Sequence, residues 1–211
     1  LDAAHQAPLC TMVRQALDQF LDDAQLHAGP KEKWAVKVEE VRETLARLLG
    51  TSAESVAFTK NTSEGVNIAA NALPWQPGDN VVLMAGEHAN LAYAWLHQRR
   101  RGLEVRTVKP APEGADANTF EGAVDEHTRA IAVSHVAYDT GQRNDLTSVA
   151  ALCRRYRAAL VVDAMQSVGV LPVDVEPATF AAAGCHKGLL TPHGLGFVYR
   201  APAASGLEPV Y

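Results

Sequence analysis

From residue 56 onward, short apolar runs alternate with stretches whose apolar residues recur at helical spacing. The runs are VAFT (56–59), NVVLMA (80–85), EVRTV (104–108), AIAVSHV (130–136), ALVVDA (159–164) and GFVYR (196–200). Each is short and rich in β-branched or apolar residues, as strands are. Near-continuous apolar strands joined by helical crossovers predict an α/β domain, with a mainly parallel sheet covered by helices on both faces. Ahead of them lie two longer amphipathic segments. In the first, Thr11 is placed to cap a helix whose Val13, Ala16, Leu17, Phe20 and Leu21 share one face, and Gly29-Pro30 ends it. The second runs through Trp34, Val38, Val41, Leu45 and Leu48, with Gly50 where a C-terminal cap belongs. KPAPEGADAN (109–118) reads as a surface loop, followed by a helix over TFEGAVDEH (119–127).

Composition narrows the class. With 211 residues, 47% hydrophobic and 20% charged, the chain can bury one sizeable core in one large domain. The formal net charge is -5 and the 19 Lys and Arg residues are dispersed, so no basic footprint for nucleic acid is present. Arg99, Arg100 and Arg101 form the one tight basic run, which a solvated helix end explains. Cys10, Cys153 and Cys185 are odd in number and far apart, which argues against a disulfide framework and favours a reducing, cytoplasmic setting. No apolar stretch approaches a membrane span, and no His/Asp/Glu spacing matches a metal-ligand pattern. The chain opens at Leu1 rather than methionine, so a removed leader stays open.

Chemistry concentrates at the ends of the apolar runs, where ligands of α/β sheets bind. Asp163 ends ALVVD, and Lys187 follows His186 in AGCHKGLLTPHGLG. A lysine amine that forms a Schiff base, with a carboxylate that holds a pyridine nitrogen protonated, is the pair that pyridoxal phosphate chemistry requires. Taken alone the pair is weak, since acidic strand ends and surface lysines are common. Asn61, Thr62 and Ser63 end one strand and open a helix, where hydroxyls, free amides and the helix dipole favour an anion. An ordinary capping box with Thr62 or Ser63 as the cap explains that segment equally well. His88, after NVVLMA, is placed to stack on an aromatic cofactor and relay protons. His135 sits within a strand and reads as structural.

In order, FTKNTSEG, EHANLAYAW, AVSHVAYDTGQRNDL, LVVDAMQSVGVLPVDV and GCHKGLLTPHGLGFVYR resemble the successive motifs of the class V aminotransferases. These are fold type I pyridoxal phosphate enzymes, among them cysteine desulfurases, selenocysteine lyases and isopenicillin N epimerases. The resemblance implies a mainly parallel sheet of the seven-stranded type, in a large cofactor-binding domain over residues 31–211. Residues 1–30 would associate with a small C-terminal domain, which is expected to be missing from the chain. It further implies pyridoxal 5'-phosphate as cofactor, a small amino acid as substrate and a homodimer as the assembly.

Carried over by residue, the resemblance makes Lys187 the aldimine lysine and Asp163 the partner of the ring nitrogen. Gln166 would donate to the phenolic oxygen, His88 would stack on the ring and assist proton transfer, and Thr62, Ser63 and His186 would hold the phosphate. The catalytic set is then Lys187, His88 and Asp163. The chain departs from the desulfurase pattern in three places. Gly184 replaces a phosphate-binding serine, Tyr138 stands where an asparagine is usual, and HKGLLTPHGLG is one residue longer, as in epimerase-like members. Desulfurase, lyase and epimerase outcomes therefore stay open. The alternative to an enzyme is a non-catalytic or truncated member that binds cofactor or dimerises.

Overall fold

A computed structural model describes residues 4–111, 113–204 and 206–210. Two helices lead, α1 (Thr11–His27) and α2 (Lys31–Leu48). Then follow β1 (Val56–Thr59), α3 (Thr62–Ala72), β2 (Asn80–Met84), α4 (Ala89–Gln98) and β3 (Glu104–Val108). The chain continues through α5 (Ala117–Glu121), β4 (Thr128–Ser134), α6 (Leu146–Tyr156), β5 (Ala159–Asp163), β6 (Phe180–Gly184) and β7 (Gly196–Arg200).

The strands form one seven-stranded sheet in the order β1-β7-β6-β5-β4-β2-β3. Contacts β2 to β3, β2 to β4, β4 to β5 and β5 to β6 are parallel, whereas β7 lies antiparallel between β1 and β6. Alternate residues of each strand enter opposite cores. Val82, Ile131, Val133, Leu160 and Val162 pack with α2 and α6, while Val81, Leu83, Ala130, Ala132 and Val161 pack with α3 and α4. Burial on both faces is why these strands read as unbroken apolar runs.

One strand lay outside the sequence pattern. FAAAG (180–184) is β6, and its run of small residues carries little β-propensity. Its neighbour explains the composition. Gly65 of α3 lies so close to it that a Cβ added there would sit 2.6 Å from the Ala182 methyl and 3.3 Å from the Phe197 carbonyl. Small side chains let α3 approach the sheet closely.

Other boundaries moved for local reasons. Helix α1 starts at Thr11 but gains no side-chain cap, and Ala28 ends it in the left-handed region with φ 54°. Helix α5 covers only five residues, because Asp116 and Thr119 close a reciprocal cap there and the chain turns after Glu121. The stripes on α1 and α2 stay largely uncovered. No described residue of α1 is buried, Phe20 meets Trp34 at 4.8 Å between ring centroids, and in α2 only Leu45 and Ala46 are buried.

The α3 contact generates a prediction in which two effects oppose each other. Gly65→Ala gains about 1 kcal/mol of helix propensity. The overlap with Ala182 costs about 1–3 kcal/mol, because the backbone must shift. We expect a net loss of stability, read as a lower urea midpoint with unchanged slope; a raised midpoint would show that α3 has room to move.

Candidate active site

The parallel strands β2, β4, β5 and β6 all end on the same side of the sheet, and β1 leads into α3 there. The segments that follow them line a cavity of about 400 Å³. Asn61, Thr62 and Ser63 come from the start of α3, and His88 and Asn90 from the start of α4. Ser134 and Tyr138 follow from the end of β4, Asp163 and Gln166 from β5, and His186 and Lys187 from just beyond β6. His193, in the turn before β7, completes the wall together with His5 and Gln6 of the N-terminal segment. All seven site residues expected from the sequence therefore line one cavity.

Asp163 is the buried centre of this arrangement, with 5% exposure. Its Oδ1 accepts from the Met165 amide at 2.8 Å and its Oδ2 from Asn90 Nδ2 at 3.1 Å. Burial pushes its carboxyl above the usual range. The hydrogen bonds from Met165 and Asn90, and the nearby His88 and Lys187, pull the other way. Glu87 lies close by. It accepts from the Ser134 amide at 2.9 Å and from the Ser134 hydroxyl, and burial raises its carboxyl, with Asp163 adding repulsion. Two carboxyls raised by burial thus share one strand-end region.

The end of the cavity at the start of α3 differs in detail from the sequence expectation. Asn61, not Thr62 or Ser63, caps α3, its side chain accepting from the Glu64 amide at 2.9 Å. Thr62 is buried and its hydroxyl is committed to packing. Oγ1 accepts from the Gly184 amide at 2.8 Å and donates to Met165 Sδ at 3.2 Å. Among the described residues, the amides of Thr62 and Ser63 meet no acceptor. Their N–H groups remain available at the positive end of α3.

The remaining side chains are held by local contacts. His88 is the N-cap of α4, its Nδ1 accepting from the Asn90 amide at 3.3 Å, and its ring meets Tyr138 edge-on at 5.0 Å. Gln166 donates through Nε2 to the Ala4 carbonyl at 3.1 Å. His186 stacks on His193 with ring centroids 3.9 Å apart and planes tilted by 26°. Burial first, then His193 and Lys187, lower the His186 pKa. His135 lies outside the cavity. It is buried, its Nε2 accepts from Arg143 Nε at 3.3 Å, and burial followed by the Arg143 charge lowers its pKa to about 4. Cys185 is buried, and desolvation pushes its thiol up to about 11, unfavourable for a nucleophile.

Several residues of the site escaped the sequence reading. Asn90 stands two residues after His88, within a motif already singled out, but nothing in the sequence places it against Asp163. Glu87 and Ser134 meet only because β2 and β4 are neighbours. His193 lies seven residues from His186 and faces it only through the turn that reverses the chain into β7.

Comparison with known proteins agrees with this architecture. The chain is 40% identical to an uncharacterised aminotransferase of Schizosaccharomyces pombe, over 93% of its own length and 51% of the relative. It is 38% identical to a probable cysteine desulfurase of Methanothermobacter thermautotrophicus, over its whole length and 55% of that protein. The apo structure of a cysteine desulfurase from Thermococcus onnurineus NA1 superimposes with a TM-score of 0.88 at 28% identity, covering 99% of this chain and 55% of the other. The chain thus spans about half the length of the curated relatives it matches. The family model for class-V aminotransferases matches residues 1–211, and the chain belongs to that family.

Proposed function

We propose that this chain carries the cofactor site of a pyridoxal phosphate enzyme that acts on a small amino acid, in the manner of a cysteine desulfurase, lyase or epimerase. The observation that carries the reading is the joint placement of Lys187 and Asp163 on one cavity, in a chain of this family. The family is pyridoxal phosphate dependent.

The residues fit such a group on chemical grounds. The contacts to the Asp163 carboxyl are neutral amides, from Met165 and Asn90, and burial has raised it. A protonated pyridine nitrogen would add a direct cationic partner to a carboxylate whose hydrogen bonds among the described residues come from neutral groups, beside the nearby His88 and Lys187. At the other end, the Thr62 and Ser63 amides, the Ser63 hydroxyl and His186 would receive the phosphate. Because the Thr62 hydroxyl is already committed, Thr62 serves through its backbone in this reading. Gln166 lines the same cavity, and in this reading its amide donates to the phenolic oxygen. The volume of about 400 Å³ suits a small organic cofactor.

When bound, pyridoxal phosphate supplies a ring that withdraws electrons from the substrate α-carbon. The chain contributes the rest. Lys187 would hold the cofactor through Nζ, and its amine is the base placed to take a proton from the substrate. Asp163 would keep the pyridine nitrogen charged, and His88 would face the ring and assist proton transfer. Tyr138, edge-on to His88, limits how that ring can turn. We further propose a homodimer, as the family resemblance implies.

Two outcomes check the assignment. Borohydride reduction in the presence of pyridoxal phosphate is expected to fix the cofactor on Lys187, located by peptide mass spectrometry; label on a different lysine sinks the reading. Asp163→Asn is expected to keep cofactor bound while turnover of cysteine or alanine falls by roughly 100-fold. That drop corresponds to the loss of a charge-assisted hydrogen bond of about 3 kcal/mol. Turnover equal to wild type would show that the carboxylate does not tune the ring.

A further inference from the structure

Gly184 ends β6 at a point where an added side chain would be crowded. A Cβ there would lie 3.0 Å from His186 Nδ1, 3.1 Å from His186 Cε1 and 3.3 Å from Met165 Sδ. The missing side chain is what lets the His186 imidazole fold back against the strand end. The Gly184 amide also donates to Thr62 Oγ1 at 2.8 Å, so this strand end is tied to the first residue of α3. The imidazole therefore rests beside the helix terminus that offers the Thr62 and Ser63 amides.

Neither ring nitrogen of His186 makes a hydrogen bond among the described residues, so packing alone sets its orientation. One side of that packing is the bare backbone of Gly184. The other contact is His193, whose ring stacks on His186 at 3.9 Å with a tilt of 26°. Both histidines line the cavity. His193 arrives from the turn into β7, and β7 is paired with β6 out to Gly184 and Gly196. The stack thus sits just beyond the paired ends of β6 and β7.

We propose that His193 is a positioning residue: by stacking on His186 in the space that Gly184 leaves, it aims that imidazole at the anionic group bound by the N-terminus of α3. The inference rests on the reading above, in which that group is the phosphate of pyridoxal phosphate. It assigns a role to the glycine as well. Gly184 gives up a hydroxyl and gains a fixed imidazole.

The test compares the cofactor-free protein binding pyridoxal phosphate and pyridoxal, which lacks the phosphate, in equilibrium titrations. His193→Ala is expected to raise the Kd for pyridoxal phosphate roughly 3- to 10-fold, the size of a lost ring pair, and to leave pyridoxal unaffected. His193→Phe, which keeps a flat ring, is expected to restore the affinity. Gly184→Ala, which displaces the imidazole, is expected to behave like His193→Ala. Unchanged affinity in His193→Ala overturns the proposal, and so does equal weakening of both ligands. A loss that phenylalanine fails to restore also overturns it, because His193 would then act through its own nitrogens. A wild-type protein that binds pyridoxal as tightly as pyridoxal phosphate would fail in a different place: the phosphate site itself would be misassigned.

Discussion

A carboxyl buried at the end of β5 sets the terms for everything around it. Asp163 is removed from water by the strands on either side, and a charge so placed needs partners. Asn90 reaches it from the start of α4, and the Met165 amide reaches it from the turn that follows β5. His88 and Lys187 are near enough to favour its charged form. The loops after β2, β5 and β6 are therefore drawn to one point by a single electrostatic demand. A cationic group in the cavity would meet the same demand.

The second constraint is steric. Helix α3 lies close against β6 and β7 because Gly65 faces Ala182, and the strand it covers consists of Phe180, three alanines and Gly184. Close approach brings Thr62 to the end of β6, where its hydroxyl bridges the Gly184 amide and Met165. That bridge spends the threonine side chain on architecture, while its backbone N–H meets no acceptor among the described residues. The same economy of volume at Gly184 makes room for the His186 imidazole. The end of the cavity beside α3 is thus shaped by two missing Cβ atoms, at Gly65 and Gly184, as much as by the donors present.

The histidines show how one residue type divides by environment. His88 is exposed on a helix start and can meet a ligand, while His135, on the neighbouring strand end, is buried with Arg143 beside it. Burial and that neighbouring charge hold His135 neutral over the physiological range. Its backbone amide instead supports the site, donating to the Asp163 carbonyl at 2.8 Å. A histidine adjacent to the cavity thereby serves the sheet rather than the chemistry.

The sequence by itself determined the strands with strong apolar character, the alternation with helices, and hence a parallel sheet with its ligand site at the carboxyl ends. It also marked Lys187, Asp163, Gln166, His88, Thr62, Ser63 and His186, because motifs keep residue types at fixed spacing along the chain. Strand β6 stayed hidden, since alanine and glycine signal no strand and are chosen for a helix packed across the sheet. Which group of Thr62 faces the cavity could not be read either, because its hydroxyl is claimed by Gly184, 122 residues away. The pairing of Asn90 with Asp163, of Ser134 with Glu87, and of His193 with His186 was decided only by tertiary structure. Strand order and chain reversal bring those side chains together, and neither is encoded by local periodicity.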